Sequence, residues 1–424
     1  MNFKKRIYKL SAYILAYCPI SFVLFWSSRK LIPYDRTKHG KKVLVLDADR
    51  FRDDLRGISL FSNLELICMP VQLQDFLSRV VYYRNCGPKG SQIQDYDLSF
   101  LIRYLAGLKD QSNYWGVVSA GFFYRRNEVW EISCRRVKLP FVCLHRESAG
   151  EEPRSLERLQ FPSTLRHFRG QAIFVGTEGY RDALQRSDHS NRARVVATGL
   201  PRFDCVFHLR GKPESSETRK SIVLFSFLPA TLLDAVIERD GHHTENGFKE
   251  LFYSVHSSIG YLAREYSHVD FKIKPKWYSG SWKRYIDRAV YQIAEVSPSD
   301  QRNVQISDHW SAQDLIQEAS LVVAFNSTTM VESVLMGKPT VAPWYAEAAE
   351  KYREQILYKD YSEAFLVADS QEKLRLLIKA HVENGFSTKQ DPQRLIRDVV
   401  GRFDGKCASR IEGELDTLND EFRE

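Results

Sequence analysis

The chain has 424 residues, 43% of them hydrophobic and 27% charged, ordinary globular usage that excludes a disordered, collagenous or multiply membrane-spanning protein. At roughly 100 to 200 residues per domain, two or three domains fit. The net charge of +8 is local: residues 1–42 carry ten Lys/Arg and only Asp35 as acid, and the remainder is close to neutral, so an anionic membrane surface is predicted as a partner and nucleic acid is not.

Leu10 to Ser28 is nineteen residues without a charge, about 28 Å as helix against a hydrocarbon core of about 30 Å. Pro19 interrupts it, and bases flank both sides, from Lys4 to Lys9 and from Arg29 to Lys38. Residues 1–40 are therefore predicted to be a basic, hydrophobic leader that lies on or spans the membrane, with the rest of the chain on the cytoplasmic side of the cell (inner) membrane. No small-residue cleavage site follows, which argues against a secretory signal.

Apolar runs then alternate with helical patterns, the signature of parallel sheets with crossover helices. Residues 41–208 hold KVLVLDAD (42–49), ELICMPV (65–71), YWGVVSAG (114–121), PFVCLH (140–145), QAIFVG (171–176) and RVVATG (194–199). The polar stretch 209–220 reads as a linker. Residues 221–385 resume with SIVLFSF (221–227), VDFKIKP (269–275), NVQIS (303–307), LVVAF (321–325), PTVAP (339–343) and AFLVAD (364–369), and 386–424 closes the chain as a helical segment. The seven cysteines are scattered without a C-x-x-C pair, so neither a disulfide framework nor a zinc site is predicted, and a reducing compartment is.

The most informative stretch is DHWSAQDLIQEASLVVAFNSTTMVESVLMGKPTVAP (308–343). Ser311 with Asp314 three residues on predicts a helix start, LVVAF a buried strand, Asn326 to Thr329 the polar opening of a second helix, and Gly337 its left-handed stop. A helix N-terminus at the carboxyl end of a parallel strand presents unsatisfied N–H groups and a partial positive charge, which suits a phosphate or diphosphate. Ser327, Thr328 and Thr329 are predicted phosphate contacts beside Asn326, and Glu332, one turn on, a ribose contact.

This strand–turn–helix resembles the donor-binding element of two-domain glycosyltransferases with the GT-B fold, particularly those of bacterial capsule and surface-carbohydrate biosynthesis. TGLPRFD (198–204) is similar to a G-x-P-R-x-D element shared with related polyol-phosphate transferases, FKIKPKW (271–277) to a strand ending in a basic-Pro pair, with Lys274 where His is common, and LHRESAG (144–150) to an acidic turn of the N-terminal domain. The resemblance spans about residues 42–385. It implies an α/β chain of two Rossmann-like parallel-sheet domains facing across a cleft: an N-terminal acceptor domain and a C-terminal donor domain that binds the nucleotide. The implied activity is transfer of a sugar from a nucleotide sugar to a polysaccharide or lipid-linked glycan, with no cofactor and no metal. Arg202 and Lys274 then become candidate cations for the leaving group, and Glu147 or His145 the base that takes the acceptor proton. Two other functions remain compatible: transfer of a polyol phosphate from a CDP-linked donor, and nucleotide-sugar binding without catalysis.

Two competing motifs are weaker. VLVLDADRF resembles the opening of haloacid-dehalogenase-type phosphotransferases, with Asp47 as nucleophile and Asp49 as acid, but Arg50 stands where a small hydroxyl or β-branched residue belongs. The His242–His243 pair lies in a polar stretch without further zinc ligands.

Overall fold

A computed structural model of the chain describes residues 30–84, 98–148, 167–187, 190, 192–210, 219–233, 246–385 and 390–423. Residues 1–29 of the predicted leader, the middle of the linker and the two adjacent histidines lie outside these residues. Among the described residues, no helix is long and apolar enough to cross a membrane. The chain divides into two compact units, residues up to Cys205 with Val399–Glu424, and Val206–Asp398.

The first unit is a seven-stranded sheet of β1 (Ile32–Pro33), β2 (Lys41–Val45), β3 (Leu64–Cys68), β4 (Tyr114–Ser119), β5 (Phe141–Leu144), β6 (Ala172–Val175) and β7 (Arg194–Ala197). Its spatial order is β1-β3-β2-β4-β5-β6-β7. Every pairing is parallel except the edge strand β1, which runs antiparallel to β3 with Ile32 opposite Cys68. Helices α1 (Arg52–Phe61), α2 (Val71–Arg84), α3 (Ser99–Ser112), α4 (Glu128–Arg136), α5 (Glu178–Arg186) and α6 (Arg202–Leu209) connect or follow the strands. Val43, Leu44, Val45 and Leu46 are all essentially buried, as expected where a parallel sheet is covered on both faces.

The second unit is a wholly parallel six-stranded sheet of β8 (Ser221–Phe225), β9 (Asp270–Lys274), β10 (Val304–Ile306), β11 (Leu321–Ala324), β12 (Thr340–Pro343) and β13 (Leu366–Ala368), in the order β10-β9-β8-β11-β12-β13. Its helices include α7 (Lys249–Glu265), α8 (Gly280–Asp287), α9 (Ala312–Glu318), α10 (Thr328–Leu335) and α11 (Gln371–Asn384). Each predicted apolar run contains one observed strand, and the two parallel-sheet α/β units follow from that alternation.

The helix boundaries read from residues 308–343 have the expected physical basis. Ser311 accepts from the Asp314 N–H at 3.3 Å and opens α9. Gly337, at φ 75°, donates to Val334 O at 3.0 Å while Lys338 donates to Ser333 O at 2.9 Å; this pair of bonds closes a helix through a left-handed glycine.

The chain end departs from the predicted boundaries. The segment 386–424, read as one terminal piece, is divided at Val399, and its last helix, α12 (Cys407–Arg423), belongs to the first unit. The cause is a stripe of buried Ile411, Leu415 and Leu418, reinforced by the Asp416 carboxylate on Lys41 at 2.6 Å and by Asn419 donating to Trp115 O at 2.8 Å. Asp204 caps α12 by accepting from the Cys407 and Ala408 N–H groups at 3.0 and 2.8 Å. Gly199, at φ 77°, permits this approach, since a Cβ there would fall 2.5 Å from Cys407 Sγ.

Candidate functional site

In an open parallel sheet, ligands bind beyond the carboxyl ends of the strands where the winding reverses, because neighbouring loops there diverge to opposite faces. In the second unit that point lies between β8 and β11, since β9 and β10 extend one side and β12 and β13 the other. The Asn326–Thr329 turn leaves β11 at this place. Ser327 is the N-cap of α10, and its Oγ accepts from the Thr329 N–H at 3.3 Å and from Thr329 Oγ1 at 2.8 Å. With both bonds incoming, the Ser327 proton is what this hydroxyl has left to give. Thr328 and Thr329 are partly exposed and stand in the first turn, where the Met330 N–H donates to Ser327 O at 3.1 Å and the helix supplies no carbonyl for the Thr328 N–H.

The other nominated residues of this unit are placed differently. Asn326 adopts a left-handed backbone at φ 48° and uses its side chain as a clip, donating to Gln355 O at 3.1 Å and accepting from the Leu357 N–H at 2.8 Å. Glu332 is 2% exposed, inside the unit. Lys274, at the end of β9, donates to Asp308 O at 3.1 Å and joins β8 through its carbonyl, which accepts from the Ser226 N–H at 3.0 Å.

Ser226, at the carboxyl end of β8, is the residue that motif reading missed. Its Oγ lies 2.8 Å from His256 Nε2, and His256 Nδ1 lies 2.7 Å from Phe252 O. A carbonyl only accepts, so Nδ1 carries the proton and Nε2 takes one from Ser226. Ser226 then meets a ligand as an acceptor, suited to a hydroxyl or N–H donor. The only sequence signal was a serine ending the first strand of the unit; its histidine lies thirty residues away.

In the first unit the reversal lies between β2 and β4. Asp47, just after β2, is fully buried with φ 59°. It accepts from Asn127 Nδ2 at 2.8 Å, forms an ion pair with Arg126, and receives its backbone support from Gln74, which also donates to Asn127 Oδ1 at 2.7 Å. A carboxylate held on so many sides is a scaffold group, which removes the phosphotransferase reading of Asp47.

His145 and Glu147 follow β5. His145 is 2% exposed; its Nε2 lies 2.7 Å from the Tyr180 hydroxyl, and its ring meets Phe122 edge-on at 4.8 Å. Burial pushes its pKa down to about 4. Glu147 is half-exposed and pairs with Arg146 at 2.6 Å. Burial raises its pKa, but the charges of Arg146, His145 and Arg202 outweigh that and leave it below the ordinary carboxylate value. Tyr124 faces Arg126 at 5.5 Å and Arg50 at 6.0 Å. At the carboxyl ends of β4 and β5, four buried polar atoms of this unit have no hydrogen-bond partner among the described residues: Ser119 Oγ, Arg126 Nε, Arg146 Nε and His145 Nδ1. All four come from the end of β4 or the loops after β4 and β5, polar atoms that water or a ligand can satisfy.

Arg202 also belongs to the first unit. Its Nε donates to Asp54 Oδ1 at 2.9 Å, with Arg202 11% and Asp54 0% exposed. The motif PRFD thus holds α1 through Arg202 and α12 through Asp204.

His145 and His256 make the fold acid-sensitive. Burial holds His256, like His145, at about 4 instead of the ordinary 6.5. Below pH 6.5 the unfolded chain takes up protons that the folded chain refuses, so stability falls as pH drops toward 4. The expected loss is about 2 kcal/mol per histidine at pH 5. Urea unfolding at pH 7 and pH 5 measures it, and His256→Gln should flatten the dependence by about half; an unchanged slope would rule out the His256 share.

No protein-family model and no curated protein matches the chain. Among solved structures, a Listeria monocytogenes protein named as a UDP-N-acetylglucosamine 2-epimerase superposes with a TM-score of 0.50 at 12% identity, covering 90% of this chain and 98% of its own. A Rickettsia africae glycosyltransferase gives 0.48 at 10% identity, with 91% and 99% covered. The wall teichoic acid polymerase TagF gives 0.47 at 10% identity, with 91% and 89% covered. The likeness is one of fold: the chain has the GT-B-type pair of parallel-sheet α/β units.

Proposed function

We propose that this chain is a glycosyltransferase that moves a sugar from a nucleotide-activated donor to a surface polysaccharide or glycolipid, at the cytoplasmic side of the membrane to which its leader attaches it. The observation that carries the reading is the β11–α10 turn at the reversal point of the second sheet, with Ser327, Thr328 and Thr329 ahead of the helix. The Thr328 N–H and the Ser327 and Thr328 hydroxyls there can stabilise a leaving diphosphate. Ser226, held as an acceptor by His256, suits a hydroxyl of the donor.

On the acceptor side, Arg126 balances Asp47 and Arg146 balances Glu147. A charge-balanced set of donors and acceptors beside Tyr124 matches an uncharged, hydroxyl-rich sugar better than a polyanion. Glu147 is the base within reach of an incoming hydroxyl. Buried His145 orients Tyr180 and the surrounding wall.

The deciding experiment incubates full-length protein in its native membranes with labelled nucleotide sugars and with CDP-glycerol. Labelled sugar in the lipid or polymer fraction with nucleotide release supports the proposal. Label from glycerol phosphate moves the chain to polyol-phosphate transfer, an isomerised free nucleotide sugar to epimerisation, and binding without turnover to a non-catalytic role. Replacing Ser327, Thr328 and Thr329 together by alanine should weaken nucleotide binding by about 1 to 3 kcal/mol, from the two hydroxyls, Ser327 and Thr328, whose protons are not given to Ser327 Oγ, at the modest net value of each hydrogen bond. Calorimetric titration giving equal affinity would remove this turn from the site.

A further inference from the structure

A cavity of about 560 Å³ opens in the first unit beside the carboxyl ends of β2 and β3, within the size range of small-molecule sites. Leu55 and Met69 line it and are almost fully buried, while Ile32 and Tyr34 line it at 55% and 38% exposure. Val71 adds a further apolar wall, and exposed Arg52 and Asp49 supply its charge. The cavity is thus amphipathic, with an apolar interior, exposed apolar groups, and one charge of each sign, Arg52 and Asp49.

Its position relative to the leader selects the occupant. Ile32 lies four residues after Ser28, the last residue of the uncharged stretch, and four residues span at most about 14 Å. Strand β1 pins Ile32 against β3, so the cavity wall lies no further than that from the end of the leader. Beyond the hydrocarbon core, each headgroup layer is about 5 to 8 Å deep, which places a membrane-bound chain's cavity at or just beyond the lipid surface. Lys30, Arg36 and Lys38 in the same short stretch favour anionic headgroups there.

We infer that this cavity takes the single hydrocarbon chain of a phosphate-linked lipid acceptor, with the phosphate against Arg52 and the chain over Leu55 and Met69. The inference rests on the proposed transfer to a lipid-linked glycan and specifies how that acceptor is held. Asp49 and Ala48 border the cavity and directly follow Asp47, so a lipid held here carries its head toward the loops that bear Arg126 and Tyr124.

The test uses full-length protein in phosphatidylglycerol–phosphatidylcholine vesicles containing farnesyl phosphate with a photoactivatable group at the chain end. Mass spectrometry should find the label on peptides containing Leu55 or Met69–Gln72. Val71→Trp and Ala48→Phe, two independent ways of filling the cavity, should each reduce that labelling by more than about tenfold, the effect of displacing two or three methylenes. Nucleotide affinity, read in the second unit, should stay at the wild-type value, and an unchanged thermal unfolding midpoint together with unchanged limited proteolysis of the first unit, which carries both substitutions, certifies that the variants are folded. Label confined to residues 1–29, label elsewhere, or label unaffected by both fillings overturns the inference. Cavity labelling in a protein that transfers no sugar would keep the lipid site and sink the transferase reading, so the two failures are distinguishable.

Discussion

Replacing Glu147 by Gln should lower the turnover number by about 10²- to 10⁴-fold, the usual contribution of a positioned base, with nucleotide Kd and Tm close to wild type. The carboxylate is half-exposed and its pair with Arg146 is a surface one, worth about 0 to 1 kcal/mol, so the amide should fold normally. Arg146, His145 and Arg202 hold the carboxyl below its ordinary pKa against the effect of burial. Glu147 is therefore already ionised throughout the neutral range, and loses its basic form only as pH falls through that depressed value. The acid limb of kcat/KM should lie below pH 4.5, with no limb near 6.5, because His145 is neutral down to about 4. A limb centred at 6.5, or full activity in Glu147→Gln, would take the role away from this residue.

Asp54→Ala should destabilise the first unit by about 3 to 5 kcal/mol, because it removes the buried carboxylate to which the nearly buried Arg202 guanidinium donates. Asp54 is wholly buried and Arg202 nearly so. For a unit of this size the loss corresponds to a Tm lower by about 6 to 20 °C. The double variant Asp54→Leu/Arg202→Met should recover much of it, since an apolar pair of similar volume replaces the charges without stranding either. It also tests the cation role read from the motif. Unchanged nucleotide affinity in the double variant makes Arg202 a scaffold residue, and a loss of tenfold or more restores it to the donor site.

The contrast between these two residues shows where local information stops. Arg202 belongs to a recognisable motif, but its partner lies 148 residues earlier in the chain. Glu147 was reached through its position after an apolar run, a local feature. The depressed pKa that keeps it ionised depends in part on Arg202, which the fold brings near. Ser226 shows the converse: it sits in no motif, and only the packing of α7 brings His256 to within 2.8 Å and fixes the direction of the hydrogen bond.

Strand positions, the Ser311 cap, the Gly337 stop and the α/β class of both units were legible in the residues, because burial periodicity, caps and left-handed stops act over a few neighbours. The chain alone also carried the polar turn after β11, since a strand and the helix that follows it are contiguous. Tertiary structure decided the rest. It assigned α12 to the first unit, engaged Asn326 and Arg202 in scaffold bonds, and buried Glu332. It also gathered Ser119, Arg126, His145 and Arg146 at one end of a sheet with unsatisfied polar atoms. A polar group's partner is whichever complementary group packing brings within about 3 Å, and that proximity is a property of the whole fold.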